Sequence, residues 1–168
     1  MPFVISISGA EKIGVSVACQ RLYHALRHTH TVKIVDMKTR NNVMAFEDDL
    51  LTDEYKDFDV LIIDKHPYIS SALHRNLRSS LFDDDSVKPD ISFVMVCRFD
   101  TYKQRRPQAK VSYNLLDSYA TSAPKYFGTD NHHRVSVEGD YGHLSACADM
   151  LRLINKAMGH RYATHAIT

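Results

Sequence analysis

Gly9-Ala10-Glu11-Lys12-Ile13-Gly14-Val15-Ser16 stands directly after the apolar run Phe3-Val4-Ile5-Ser6-Ile7. Two glycines at this spacing, followed by a hydroxyl residue, have the frame of a phosphate-binding loop, G-x-x-x-x-G-K-[S/T]. In such a loop the backbone N–H groups cradle phosphates, the lysine reaches the β- and γ-phosphates and the hydroxyl holds Mg²⁺. Here Val15 occupies the lysine position. The first-turn amides and the dipole of the helix after Gly14 still favour an anion. Phosphoryl transfer rests on positioning and electrostatic stabilisation, and loss of one comparable donor commonly costs about 3–4 kcal/mol of the barrier. Gly9, Gly14, Val15 and Ser16 are therefore candidate nucleotide-binding residues whose set lacks a charge. Lys12 is either a substitute reaching back over the phosphates or a solvated loop charge. Ser16 either ligates Mg²⁺ or caps the helix through its side-chain oxygen. The plainer alternative for the whole segment is a tight strand-to-helix turn whose glycines take unusual backbone angles.

The elements that must position these residues follow from hydrophobic periodicity. Phe3–Ile7, Val32–Val35, Val60–Ile63 and Ile91–Cys97 are short apolar runs rich in β-branched residues, as in parallel strands covered on both faces. His133–Val137 offers a fifth. Between the first two, Val15, Cys19, Leu22 and Leu26 recur at helical spacing and predict a helix over Val15–His28. Tyr68–Leu81 and Tyr113–Tyr119 read as further helices, and Leu144–Met158 as a C-terminal one, with a frayed tail from Gly159 to Thr168. Strand, glycine loop, helix and strand in this order predict an α/β layered fold with a central parallel sheet and right-handed crossovers.

At 168 residues the chain reads as one domain over 1–168, large enough to bury about 70% of its unfolded surface. There is no internal repeat or composition shift. Twenty-one basic against 20 acidic residues give a net charge of +1, which is no strong signal for nucleic acid. No apolar run approaches the roughly 20 residues that span a bilayer, so no membrane partner is expected. The start carries no charged n-region of a signal peptide. Cys19, Cys97 and Cys147 are odd in number and widely spaced, against a disulfide framework and for a reducing, intracellular setting, nuclear or cytoplasmic.

Other chemistry-bearing residues are open to two readings. Asp64 ends a strand and either organises Mg²⁺ or a base, or caps the next turn. His24, His28 and His30 have a spacing that can gather imidazoles on a helix, but with no carboxylate or cysteine ligand nearby they read as ordinary surface histidines. His132-His133 reads as loop. Lys103, Arg105, Arg106 and Lys110, with Tyr102 and Tyr113, form a basic segment suited to a lid or a solvated face, with polyanion contact the remoter reading. No Gly-x-Ser-x-Gly, His-Glu-x-x-His or paired Cys-x-x-Cys motif is present.

These pieces, taken in order, resemble the thymidylate kinases. That family opens with a strand and a loop of the form G-x-D-x-x-G-K-[S/T]-T-Q, which the segment from Gly9 to Val17 and the following Ala18-Cys19-Gln20-Arg21-Leu22 resemble. The resemblance places Glu11 at the acidic loop position near the phosphates and Lys12 where some members carry a basic residue. Val60-Leu61-Ile62-Ile63-Asp64-Lys65-His66-Pro67-Tyr68-Ile69-Ser70 is similar to the strand ending D-R-[Y/F/H]-x-x-S, which gives Lys65 the role of holding a monophosphate. Lys88-Pro89-Asp90-Ile91 resembles the P-D-[L] strand start, and Arg105-Arg106 sits where a lid arginine belongs. Arg40 is the remnant of an arginine after the second strand, a substrate-binding position together with Asp64 and Lys65. The resemblance implies a P-loop NTPase-like three-layer sandwich, ATP and Mg²⁺ as cofactors if active, and a nucleotide, a protein partner or a second copy of the chain as binding partner.

Three departures from the family qualify the resemblance. Val15 replaces the lysine, the stretch from Thr39 to Asp57 is too short for the family's base-gripping helices, and the lid is compressed to Thr101–Lys110. Phe46 in the shortened stretch reads as a packing aromatic rather than a base-stacking one. Two functions follow as expectations. One is a degenerate thymidylate kinase-like protein, impaired or inactive, serving as a nucleotide-binding or protein-interaction module. The other is a minimal active nucleoside-monophosphate (dTMP) kinase in which Lys12, Arg105 or Arg106 supplies the missing charge.

Overall fold

A computed structural model of the chain describes residues 1–36, 53–65, 88–121 and 131–165, with side chains through residue 159. Five parallel strands, β1 (Phe3–Gly9), β2 (Val32–Asp36), β3 (Val60–Asp64), β4 (Ile91–Val96) and β5 (His132–Ser136), form one sheet in the order β2-β3-β1-β4-β5. The described helices are α1 (Val15–Leu26), α2 (Phe99–Arg105), α3 (Tyr113–Thr121) and α4 (Gly142–His165). This is the expected layered α/β fold. The expected helix Tyr68–Leu81, Arg40 and Phe46 lie outside the described residues. The C-terminal helix begins two residues before its expected start and continues through His165, into the segment expected to fray.

Alternation along each strand divides the interior. Ile5, Ile62 and Ile91 share a register and a face, and pack with Val15, Cys19, Leu22 and Leu26 of α1 and Met150 and Ile154 of α4. On the opposite face Val4, Leu61, Ile63 and Val35 meet Tyr55 from a single 3-10 turn at Asp53–Tyr55. That face also holds Ser6 and Ser92, paired in register and fully buried.

The amino ends of the strands are stapled by carboxylates. Asp90 accepts the Val4 N–H at 2.7 Å while its own N–H donates to the Val4 carbonyl at 2.8 Å. Asp59 accepts both the N–H and the hydroxyl of Thr31 at 2.8 Å, joining the starts of β2 and β3. Because every strand is parallel, the carboxyl ends at Gly9, Asp36, Asp64, Val96 and Ser136 all lie along the other rim. Open α/β sheets bind ligands at that rim, where the strand order reverses.

The fifth strand expected at His133–Val137 is β5, and it takes in both His132 and His133, which as a pair also read as loop. The Phe93 and His133 rings stack at 5.7 Å. Burial, then the charges of Arg134 and His133, push the His132 imidazole down to about 4. A histidine whose folded pKa is depressed stabilises the fold above its unfolded value and loses that contribution as pH falls toward the folded one. Stability is therefore expected to decline between pH 6.5 and about 4. Urea unfolding of His132→Gln should show a flatter decline over that interval, and an unchanged slope would contradict the assignment.

Candidate functional site

Gly9 ends β1 where the chain folds back on itself. A Cβ there would lie 2.7 Å from Ile13 Cγ2, 3.0 Å from Val15 Cγ2 and 3.3 Å from Met95 Cβ, so only glycine fits. The Ile13 N–H closes a turn to the Ala10 carbonyl at 3.1 Å. Lys12 at φ 59° and Gly14 at φ 109° turn the loop through left-handed conformations, and Gly14 is the N-cap of α1. Lys12 bears a cost that glycine does not, and such strain collects at functional segments. The first intrahelical bond, Ala18 N–H to Gly14 carbonyl at 3.0 Å, leaves the amides before it free of helical acceptors. An anion-favouring helix start therefore exists where the sequence places it.

Val15 does not face that opening. Its side chain is 2% exposed and packs into the core beneath the loop. The position that should extend a charge is built into the hydrophobic floor. Ser16 is exposed and is not the cap, since α1 begins at Gly14 without a side-chain capping bond. Of its two readings, capping is removed. Lys12 and Glu11 are exposed loop residues whose carbonyls are taken by side chains from α2.

The segment expected to form a short lid is packed against the body instead. Tyr102, on the buried face of α2, donates its hydroxyl to the Glu11 carbonyl. Arg106 Nε donates to the Lys12 carbonyl at 3.3 Å. Arg105 donates to the carbonyls of Val137 and Gly139, both at 2.6 Å, tying α2 to the turn that leads into α4. Lys103 Nζ donates to the Ala109 carbonyl at 2.9 Å, and Ala109 and Val111 are buried. The physical reason is short length: seven helical residues followed directly by a docked strand of chain have no reach with which to stand over a ligand.

His143, which no motif or spacing singles out, covers the loop from α4. A Cβ on Gly14 would come within 2.6 Å of His143 Cε1. Burial first, then Arg105, Arg21 and Arg106, lowers the His143 pKa, so three guanidinium groups act on one imidazole at the helix start. The cavity enclosed by Lys12, Ile13, Tyr102, Arg105, Arg106 and His143 measures about 20 Å³, room for one water rather than a phosphate chain. Tyr102 and His143 were invisible to spacing arguments because their partners lie in distant segments.

Asp64 and Lys65 emerge at the end of β3, beside the loop strand. Asp64 is 5% exposed and its Oδ1 has no hydrogen-bond partner. Burial, followed by the Asp64 charge, raises the Cys19 thiol of α1. Lys65 takes φ 62° and donates its N–H to the Ile7 carbonyl at 2.9 Å. A buried carboxylate oxygen with no partner among the described residues calls for an explanation. Hard oxygen donors of this kind suit Mg²⁺, which is held by one or two carboxylates with phosphate and water. Among the described residues no group of three or more histidine, cysteine or acidic side chains is arranged for a metal, so a cation here would depend on a ligand's own oxygens. Among the described residues no helix is long and apolar enough to cross a membrane.

No model of a known protein family and no curated protein matches the chain. Solved structures do. Thymidylate kinase from Ehrlichia chaffeensis superposes with a TM-score of 0.56 at 12% identity, covering 91% of this chain and 98% of that one. Thymidylate kinase from Candida albicans, whose structure is described as revealing the origin of broad substrate specificity, superposes with a TM-score of 0.60 at 12% identity, over 95% and 93%. The five-stranded parallel sheet with its glycine loop at the end of β1 and an acidic residue at the end of β3 is a thymidylate kinase-like fold, matched over nearly its whole length.

Proposed function

We propose that this protein is a binding module built on a thymidylate kinase-like fold, taking a phosphate-bearing nucleotide at residues 9–16 without efficient phosphoryl transfer. The observation that carries the reading is Val15, buried beneath the loop at 2% exposure. A methyl-bearing side chain there supplies no charge to a developing transition state, while the free amides ahead of Ala18 retain an attraction for anions. Arg105 is committed to two carbonyls and Arg106 to the loop backbone, so neither stands ready to replace the lysine. Ligand entry requires Arg106 and His143 to withdraw from the loop, which weakens affinity by the free energy of those contacts.

A minimal ATP- and Mg²⁺-dependent dTMP kinase is the second reading, favoured by one observation, the unpartnered Asp64 Oδ1. Under it Ser16 and Asp64 hold the cation, Lys65 the acceptor phosphate, and Lys12 and Arg106 the transferring group. The bound metal would supply charge neutralisation on the phosphates.

Val15→Lys separates the two. We expect isothermal titration to show ATP binding to the parent protein, and no turnover of ATP and dTMP by it or by Val15→Lys, whose ammonium would enter the apolar floor in which Val15 packs. A lysine-dependent rate gain of about a hundredfold or more would establish the kinase reading. Absence of binding to ATP, ADP and dTMP at millimolar concentration, with and without Mg²⁺, would remove the nucleotide and leave the fold as a protein-interaction module.

A further inference from the structure

A larger cleft opens away from the loop, at the carboxyl ends of β4 and β5 between α2 and α3. Its volume is about 510 Å³, within the roughly 300–1,000 Å³ typical of small-ligand sites. Val96, Cys97, Phe99, Tyr113 and Leu116 give it apolar walls. Three carboxylates, Asp100, Asp117 and Glu138, line it against the single cation Arg98.

The three carboxylates are not equivalent. Burial opposes ionisation of Glu138, but bonds from the Arg98 N–H and the Thr101 hydroxyl, with the charges of Arg98 and Arg105, hold its pKa below the usual range. Its charge is anchored and already partnered. Asp100 and Asp117 are exposed, and among the described residues neither carboxylate has a hydrogen-bond or ion-pair partner. The aromatic walls differ as well. Phe99 and Tyr113 meet edge to face at 5.9 Å, and Phe99 already carries the Lys103 ammonium over its ring at 5.8 Å. Tyr113 is 61% exposed, so its ring is the surface left for an arriving group.

We propose that this cleft binds an organic cation, a guanidinium or ammonium group on an apolar body, with its charge set against Asp117 and Asp100 and its body against Tyr113 and Leu116. Apolar burial alone would accept any small hydrophobic molecule. The two unpartnered carboxylates add attraction for a cation and repulsion for an anion, and a bare aromatic face adds cation–π stabilisation. A strongly hydrated inorganic cation would gain nothing from the apolar walls. The site makes no use of the phosphate loop, so it stands whether or not a nucleotide binds there.

The test uses the full chain and three probes of one shape: phenethylamine, 2-phenylethanol and 3-phenylpropionate. Binding is followed by NMR chemical-shift titration. A second readout is protection of Cys97 from iodoacetamide, read by peptide mass spectrometry, because Cys97 lines this cleft. We expect saturable shifts at Phe99, Tyr113 and Asp117 with phenethylamine, an affinity about tenfold above that of the alcohol, and no saturation with the carboxylate. Asp117→Asn and Asp100→Asn should each weaken phenethylamine severalfold while leaving the alcohol unchanged, and Tyr113→Leu should weaken the amine more than the alcohol. Equal affinity for all three probes, no saturation by phenethylamine, or an amine affinity indifferent to both aspartate variants would overturn the proposal. The charge series on the unaltered protein decides the matter even if a variant does not fold.

Discussion

Gly14→Ala is expected to destabilise the protein by about 3 kcal/mol, from two sources that can be separated. A φ of 109° is left-handed backbone in which an L-residue costs roughly 1–3 kcal/mol. The added Cβ would also meet His143 Cε1 at 2.6 Å; that atom is the far end of a part-buried side chain that can turn aside, so the cost falls toward the lower end of the roughly 1–3 kcal/mol of overpacking. In a His143→Ala background the second source disappears and the first remains. A double-mutant cycle by urea unfolding should therefore return a coupling of about 1 kcal/mol between positions 14 and 143. A coupling near zero would mean that the imidazole does not hold its place on the loop. The same cycle bears on function, since the double variant uncovers the helix start that His143 now covers.

Arg105→Ala is the second large effect, expected at about 2–3 kcal/mol. The guanidinium spans two carbonyls, Val137 and Gly139, at 2.6 Å each, and hydrogen bonds from a charged donor contribute about 1.5–3 kcal/mol; the Gly139 bond is exposed and counts for less. Arg105→Lys should recover little, because a single ammonium cannot reproduce the planar fork. A lid arginine acting on a transferring phosphoryl would behave oppositely, leaving stability intact and abolishing turnover. The comparison of stability with ligand affinity in Arg105→Ala thus distinguishes a residue that fastens α2 to the β5–α4 turn from one that serves chemistry.

The buried position of Val15 links these expectations to the proposed function. A phosphate loop must hold its backbone open and its charge above the opening. This one keeps the left-handed turn and the helix start, and sinks position 15 into the core. The groups that gather over it, Tyr102, Arg106 and His143, come from α2 and α4 and close on the loop backbone itself. Fold and chemistry separate in such a case, because the sheet and its connections need none of the charged groups that transfer needs.

Much of this was legible in the chain. Short β-branched runs announced the parallel strands, and the stripe of Val15, Cys19, Leu22 and Leu26 announced α1 with its buried face. The glycine pair announced the turn between them, and Val15 announced the missing charge. These features are local: periodicity, backbone freedom at glycine and residue type act within a few positions of one another. What only the tertiary structure decided is where distant side chains converge. Arg105 and Arg106 read as free lid cations until α2 docked and turned them onto carbonyls. His143 gave no signal until α4 laid it on Gly14. Asp64 Oδ1 is left without a partner among the described residues, and the cleft at Asp100, Asp117 and Tyr113 exists only where α2 and α3 face each other. The sequence by itself determined the scaffold and the lost charge, because both reside in local patterns; the sheet order determined the sites, because they are assembled from contacts between segments that no spacing relates.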